Sequence, residues 1–232
     1  MKGLEVMPRN RYTEIKDLIW QDERKYLMKK VAFDLVLNDV LKFGEFTLNS
    51  GKRSPYYVDL RQAISDPMTM DLIANCLARI IENEVGADSF DKIIGVPTAG
   101  IPFTALVCQK LSVPMLYYRK EKKDHGIGKK IEGRMEADDR ILMIDDLITS
   151  GKSVIQVAEA VREQGGQIAE LVVLLDREQG GRGQILSNRI RPHVLFNVSD
   201  AFHWLNEVKL LSDDHYQVIM DYIDAEKNSG RE

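Results

Sequence analysis

The chain has 232 residues, 44% of them hydrophobic and 29% charged, enough apolar material for a substantial core and for a single domain spanning 1–232 with small additions. A formal net charge of −4 argues against a general nucleic-acid or acidic-membrane surface, since those partners select a basic face. The charged residues of the first thirty positions leave no apolar signal core, and no run approaches the ~20 apolar residues of a membrane span, so a cytoplasmic protein is expected.

From Tyr12 to Leu41 apolar residues recur every three or four positions, among them Leu27, Val31, Leu35, Val36, Val40 and Leu41. This predicts two helices, with residues 1–30 forming a helical extension. Residues 43–61, FGEFTLNSGKRSPYYVDLR, change character. Gly44, Gly51 and Pro55 punctuate aromatic and β-branched residues, which predicts short strands joined by a turn and appended to the core. Asp66-Pro67 breaks the chain, and Leu72, Ile73, Cys76, Leu77, Ile80 and Ile81 then form the stripe of an amphipathic helix ending before Gly86. Cys76 and Cys108 fall in apolar helical stretches without a Cys or His at metal-ligand spacing, and are expected to be buried thiols.

Beyond that helix, KIIGV (92–96), PMLYYR (114–119), RILMID (140–145), IAELVVLLD (168–176) and HVLFNV (193–198) are continuous apolar runs of strand length. Helical segments separate the first from the second and the third from the fourth. Continuous hydrophobicity means burial on both faces, so the core over 92–200 is predicted to be an α/β domain: a doubly wound, mostly parallel sheet flanked by helices. Such folds bind ligands beyond the carboxyl ends of their strands, which directs attention to the loops there.

The third run leads into Thr149, Ser150, Gly151 and Ser153, whose amides and hydroxyls suit one phosphate at a helix N-terminus. Gly151-Lys152-Ser153 ends like a nucleotide-triphosphatase loop, but that pattern requires glycine at position 146, and the carboxylate of Asp146 would repel the phosphates. Adjacent acids at Asp145 and Asp146 cost desolvation and repulsion unless a ribose diol, a Mg²⁺ shell or a developing positive charge faces them. Between Arg119 and Arg134 seven basic residues stand against three acids. One basic segment in an acidic protein points to a small anionic ligand.

IDDLITSGKS (144–153) resembles the phosphoribosyl pyrophosphate (PRPP) signature of type I phosphoribosyltransferases. Within that superfamily, Arg119, Lys120, Lys123, Asp124, His125 and Gly126 match the R-K-x-x-K-D-H-G pattern that marks the mobile catalytic loop of orotate phosphoribosyltransferases. Residues 43–61 resemble that family's amino-terminal hood, and LLDREQGGRG (174–183) its orotate-recognising strand end. The resemblance runs from about residue 30 to residue 225.

It implies PRPP contacts from Arg119, Lys120, Lys123, His125, Asp145, Asp146 and the run Leu147, Ile148, Thr149, Ser150, Gly151, Lys152 and Ser153. Arg177 would pair with the orotate carboxylate, with Thr149, Tyr57 and Val58 around the base. Lys123, His125 and Asp146 would be the catalytic residues, and Thr98 and Ala99 would hold pyrophosphate. Mg²⁺ is implied as cofactor, held mainly by PRPP rather than by direct protein ligands, and so is a homodimer with shared active sites. Three positions depart from the common pattern: Asn49 and Thr98-Ala99 replace lysine-bearing sequences, and Val58 replaces a frequent aromatic. A phosphoribosyltransferase for another base would leave Arg177 and the 119–126 pattern without a purpose. A PRPP-sensing nucleic-acid regulator would want a basic face. No fused decarboxylase domain is expected in the chain.

Overall fold

The computed structural model describes residues 9–48, 51–119 and 130–229; Asn49, Lys120, Lys123 and His125 lie outside the described residues. One helix, α1 (Arg9–Leu37), occupies the stretch in which two were expected. No glycine or proline interrupts it. The periodicity that suggested a second helix comes from Val40 and Leu41, which are buried where the chain has already left the helix, through Asp39 in a left-handed conformation.

The hood is a two-stranded antiparallel sheet, β1 (Leu41–Thr47) with β2 (Arg53–Val58), in a register that sets Leu41 against Val58 and Thr47 against Arg53. In β2, Ser54, Tyr56 and Val58 are buried while Arg53, Pro55 and Tyr57 lie on the other face, the period-2 alternation of a half-covered strand. Helix α2 (Pro67–Ile80) starts on the Asp66 carboxylate, which accepts the Thr69 N–H at 2.9 Å, with proline at the first helical position.

The core sheet holds β3 (Lys92–Gly95), β4 (Met115–Tyr118), β5 (Ile131–Glu132), β6 (Arg140–Ile148), β7 (Gln167–Asp176) and β8 (Arg191–Asn197), in the order β5-β4-β3-β6-β7-β8. Every neighbouring pair is parallel except β4 with β5. Two residues of strand are too few to leave a sequence signal, and β5 lies in a segment otherwise read as loop. The helices α3 (Gly100–Leu111) and α4 (Lys152–Glu163) are the two expected between strands; α5 (Gly181–Ser187), α6 (Val198–Glu207) and α7 (Asp213–Ser229) complete the set.

Alternate residues of β6 feed opposite layers. Leu142 and Ile144 join α2, α6 and the hood in one hydrophobic cluster, and Ile141 and Met143 join α4 in the other. This two-sided burial is the cause of the unbroken apolar runs. Strand order changes direction at β3, which lies between β4 and β6. The crevice beyond the carboxyl ends of β3 and β6 is therefore the topological switch point.

A charged cluster fastens α1 to the sheet. Trp20 Nε1 donates to Glu84 at 2.9 Å, Arg24 Nε donates to the Leu195 carbonyl at 2.9 Å, and His193 sits between Glu84 (2.9 Å) and Glu170 (2.8 Å). Burial alone would lower the His193 pKa, but the two carboxylates outweigh it and hold it above its ordinary value. Burial would likewise raise Glu84 and Glu170, yet their bonds to His193, Trp20 and Arg191 hold both below the usual range. The raised His193 pKa stabilises the fold fully below the unfolded value of ~6.5, and that contribution disappears as pH rises through the folded value. His193→Asn is expected to cost about 3 kcal/mol in urea unfolding at pH 6 and clearly less at pH 9. An equal cost at both pH values would mean that His193 carries no charge in the folded protein.

Candidate active site

The candidate residues that the structure describes lie at and just beyond the carboxyl ends of β3, β4, β6 and β7, with Tyr57 and Val58 in β2. Strand β6 continues three residues past the apolar run, with Asp145 opposite Val173, Leu147 opposite Leu175 and Ile148 opposite Asp176. Asp145 and Asp146 are thus held in strand geometry rather than in a loop. Asp145 is buried, and its Oδ1 accepts the Asp146 backbone N–H at 2.9 Å. Burial pushes the Asp146 carboxyl above the ordinary carboxylate range, against the opposing pull of the Asp145 hydrogen bond and the Arg61 charge. Residues 96–99 approach these acids because Gly100 has no side chain: a Cβ there would lie 2.8 Å from the Ile144 carbonyl oxygen and 3.1 Å from Asp145. In that loop the Pro97–Thr98 peptide is cis, Thr98 is exposed and Ala99 is buried.

After β6 the chain turns at Gly151 (φ 76°), and α4 begins at Lys152 with no side-chain cap. The first amide to find a carbonyl four residues back is that of Ile155, on Gly151 at 3.0 Å, which leaves the first-turn N–H groups pointing outward. Behind the turn, the Gly181 N–H donates to the Thr149 carbonyl at 2.9 Å. A Cβ on Gly181 would fall 2.2 Å from that oxygen and 2.8 Å from the Gly151 nitrogen, so only glycine permits the approach. Ser150, Lys152 and Ser153 are exposed, and a cavity of 270 Å³ lies beside Ser150, Lys152, Gln179 and Gly180. A larger groove of 540 Å³ between α1 and α6 contains none of the candidate residues.

Arg177 follows β7 directly, and its N–H donates to the Ile148 carbonyl at 3.0 Å. The side chain is 8% exposed, yet Nε and Nη2 have no hydrogen-bond partner among the described residues. Its guanidinium carbon stands 5.1 Å from the centre of the Tyr56 ring. A cation–π contact of this kind returns about 1–2 kcal/mol, less than the several kcal/mol that an unpaired buried charge costs. The hydroxyls of Tyr56 and Tyr222 are also buried without a partner among the described residues, and the two rings meet edge to face at 6.0 Å.

The hood divides its expected contributions. Val58 is buried on the Tyr56 face of β2, whereas Tyr57 is half-buried on the opposite face, where its hydroxyl donates to Asp59 at 3.3 Å. Asp59 in turn grips Arg61 through two bonds of 2.6 and 2.9 Å. Tyr57 and Val58 therefore do not share a face. The residue packed on Arg177 is Tyr56, which the sequence reading passed over although the Ser54-Tyr56-Val58 alternation carried the signal. Tyr222, Gly100 and Gly181 were also missed. Arg119, at the end of β4, pairs with Glu132 of β5 at 3.0 Å. Lys120, Lys123 and His125 lie outside the described residues.

The family model for the phosphoribosyl transferase domain matches residues 62–212. The chain is 37% identical over 171 residues to orotate phosphoribosyltransferase of Methanosphaera stadtmanae, a match covering 72% of this chain and 92% of that protein. It is 38% identical over 182 residues to bovine uridine 5′-monophosphate synthase, covering 78% of this chain but only 38% of that longer protein. Among solved structures, orotate phosphoribosyltransferase from Aeropyrum pernix superposes with a TM-score of 0.66 at 28% identity, over 76% of this chain and 98% of the other. Strand order, switch-point acids and sequence identity agree: the chain belongs to the type I phosphoribosyltransferases, and within them to the orotate phosphoribosyltransferase family.

Proposed function

We propose that this chain transfers ribose 5-phosphate from PRPP to N1 of orotate, releasing pyrophosphate and giving orotidine 5′-monophosphate for pyrimidine biosynthesis, as one phosphoribosyltransferase domain in the cytoplasm. The observation that carries the substrate assignment is Arg177, a buried guanidinium two of whose donors have no partner among the described residues, beside the switch-point crevice. A planar carboxylate satisfies such a fork with two parallel bonds, which a purine lacking a carboxylate does not.

In this reading the turn from Thr149 to Ser153 holds the 5-phosphate on the first-turn amides of α4. Asp145 and Asp146 face the ribose hydroxyls. As the C1–O bond to pyrophosphate breaks, the ribose gains oxocarbenium character, and the two carboxylates stabilise that charge more than they stabilise the ground state. Thr98 and the amides around Ala99 take the pyrophosphate side, while Arg119, Lys120, Lys123 and His125 neutralise the departing diphosphate. Thr149, Tyr57 and Val58 complete the base site. The hard oxygens of Asp145 and Asp146 would suit Mg²⁺ held mainly by PRPP, and such an ion would supply positive charge against the leaving diphosphate. A homodimer whose 119–126 segments complete each other's sites belongs to the same proposal.

Three variants test the roles, with orotate consumption followed by its ultraviolet absorbance. Arg177→Ala is expected to raise KM for orotate about 100-fold, the ~3 kcal/mol of a lost charged pair, and to leave KM for PRPP nearly unchanged. Equal losses for both substrates would make Arg177 a structural residue. Gly181→Ala, which drives a methyl group into the Thr149 carbonyl, should weaken PRPP at least tenfold with little change in orotate affinity once PRPP is saturating; unchanged PRPP affinity would detach the turn from phosphate binding. For Lys123→Ala, turnover should fall more than tenfold, on the ~3 kcal/mol scale of a charge-stabilising contact, and wild-type turnover would remove the lysine from the chemistry.

A further inference from the structure

Seven of the thirteen large hydrophobic side chains that are exposed among the described residues lie on α1, so the apolar surface is concentrated on one helix. Ile19, Tyr26 and Phe33 are 62%, 64% and 46% exposed and follow one another at intervals of seven residues. With Tyr12, Ile15 and Leu37 they fall within an arc of about 60° on the helix surface. Trp20, Val31 and Leu35, which bury α1 against the rest of the fold, project from the roughly opposite side. Helix α1 thus has two apolar faces, one of them covered within the subunit. Sustained seven-residue spacing is the pattern of a seam that packs against another helix.

The charges around the seam identify that helix. Asp22 and Glu23 precede Tyr26 by four and three residues, and Lys29 and Lys30 follow it by three and four. A two-fold axis at Tyr26 sets the acids of one copy against the lysines of the other, Ile19 against Phe33, and Ile15 against Leu37. Glu23 is already engaged with Arg79 of its own subunit at 2.7 Å, whereas Asp22, Lys29 and Lys30 are exposed. Parallel packing would oppose Asp22 to Asp22 and Lys30 to Lys30. A self-complementary patch of this kind fits an isologous contact.

We propose that α1 is a self-association surface, on which a second copy of this chain packs its own α1 antiparallel about a two-fold axis through Tyr26. The inference does not depend on the substrate assignment. It concerns a contact separate from the sharing of the 119–126 segment, and a covalent readout reports it whatever other surfaces the subunits use.

The test places single cysteines on the full chain and follows disulfide formation under mild oxidation by non-reducing electrophoresis, with the unsubstituted protein as blank. Cys76 and Cys108 are buried and their thiol pKa values are pushed up to about 12 by burial, so they contribute little background. Tyr26→Cys lies on the axis and is expected to cross-link nearly completely. Ile19→Cys, on the same seam but with its two copies about 21 Å apart along the helix, is expected to stay monomeric on the gel. Absence of a cross-link from Tyr26→Cys, or equal cross-linking of both variants, overturns the proposal. In the Tyr26→Cys background, Asp22→Lys should slow cross-linking about fivefold, as expected for two reversed ion pairs, and Lys30→Asp added to it should restore the rate; failure to restore it would reject this register.

Discussion

The register of β6 against β7 is the constraint from which the site follows. It sets Ile148 opposite Asp176, so the two strands leave the sheet side by side. Two backbone bonds continue the pairing past the strand ends, Arg177 N–H to the Ile148 carbonyl and Gly181 N–H to the Thr149 carbonyl. The turn after β6 and the backbone of Arg177 are thereby fixed relative to each other by main chain alone. A slip of one residue would exchange the faces of Asp145 and Ile144 and turn a carboxylate into the hydrophobic layer that Ile144 fills. Glycines stand where this arrangement brings backbones closest: Gly100 against β6, and Gly181 against the turn.

The same edge of the sheet concentrates electrostatic cost. Burial raises Asp146 at the end of β6 and Asp176 at the end of β7, and Arg177 next to it keeps two donors without partners among the described residues. At the α1 anchor the polar groups are compensated: buried His193 lies between two carboxylates, and partly buried Arg24 donates to backbone carbonyls. Among the described residues the polar groups are satisfied at the α1 anchor, while two donors of Arg177 after β7 are not, and under the proposed reading a bound carboxylate completes them.

Continuous apolar runs made the parallel sheet legible in the sequence, because burial on both faces removes alternation. The IDDLITSGKS run made the turn between β6 and α4 legible, because two acids at a strand end followed by small polar residues have few structural uses. Less could be read where the signal was short or borrowed. Strand β5 has two residues, and α5 has seven, opening with the glycines of GGRG. Val40 and Leu41 imitated helical periodicity while serving the start of β1. Tyr56 was hidden by its neighbours, since S-P-Y-Y-V-D presents three apolar side chains in a row and only pairing with β1 decides which of them turn inward.

That choice of face ties the surroundings of Arg177 to parts of the chain beyond the common domain. The phosphoribosyl transferase model spans 62–212 and includes the acids, the turn and Arg177. Tyr56, on which the guanidinium rests, precedes that span, and Tyr222, whose ring abuts Tyr56, follows it. Tyr56 is also packed edge to face on Phe202 of α6 at 4.8 Å, so the hood and both carboxy-terminal helices converge behind one arginine. Phosphate handling, as proposed, uses main-chain geometry within the common segment. Under the proposed reading, selection of the base rests instead on how the flanking hood and α7 pack, so base preference can change through these appendages while the β6–β7 register and the chemistry at C1 stay fixed.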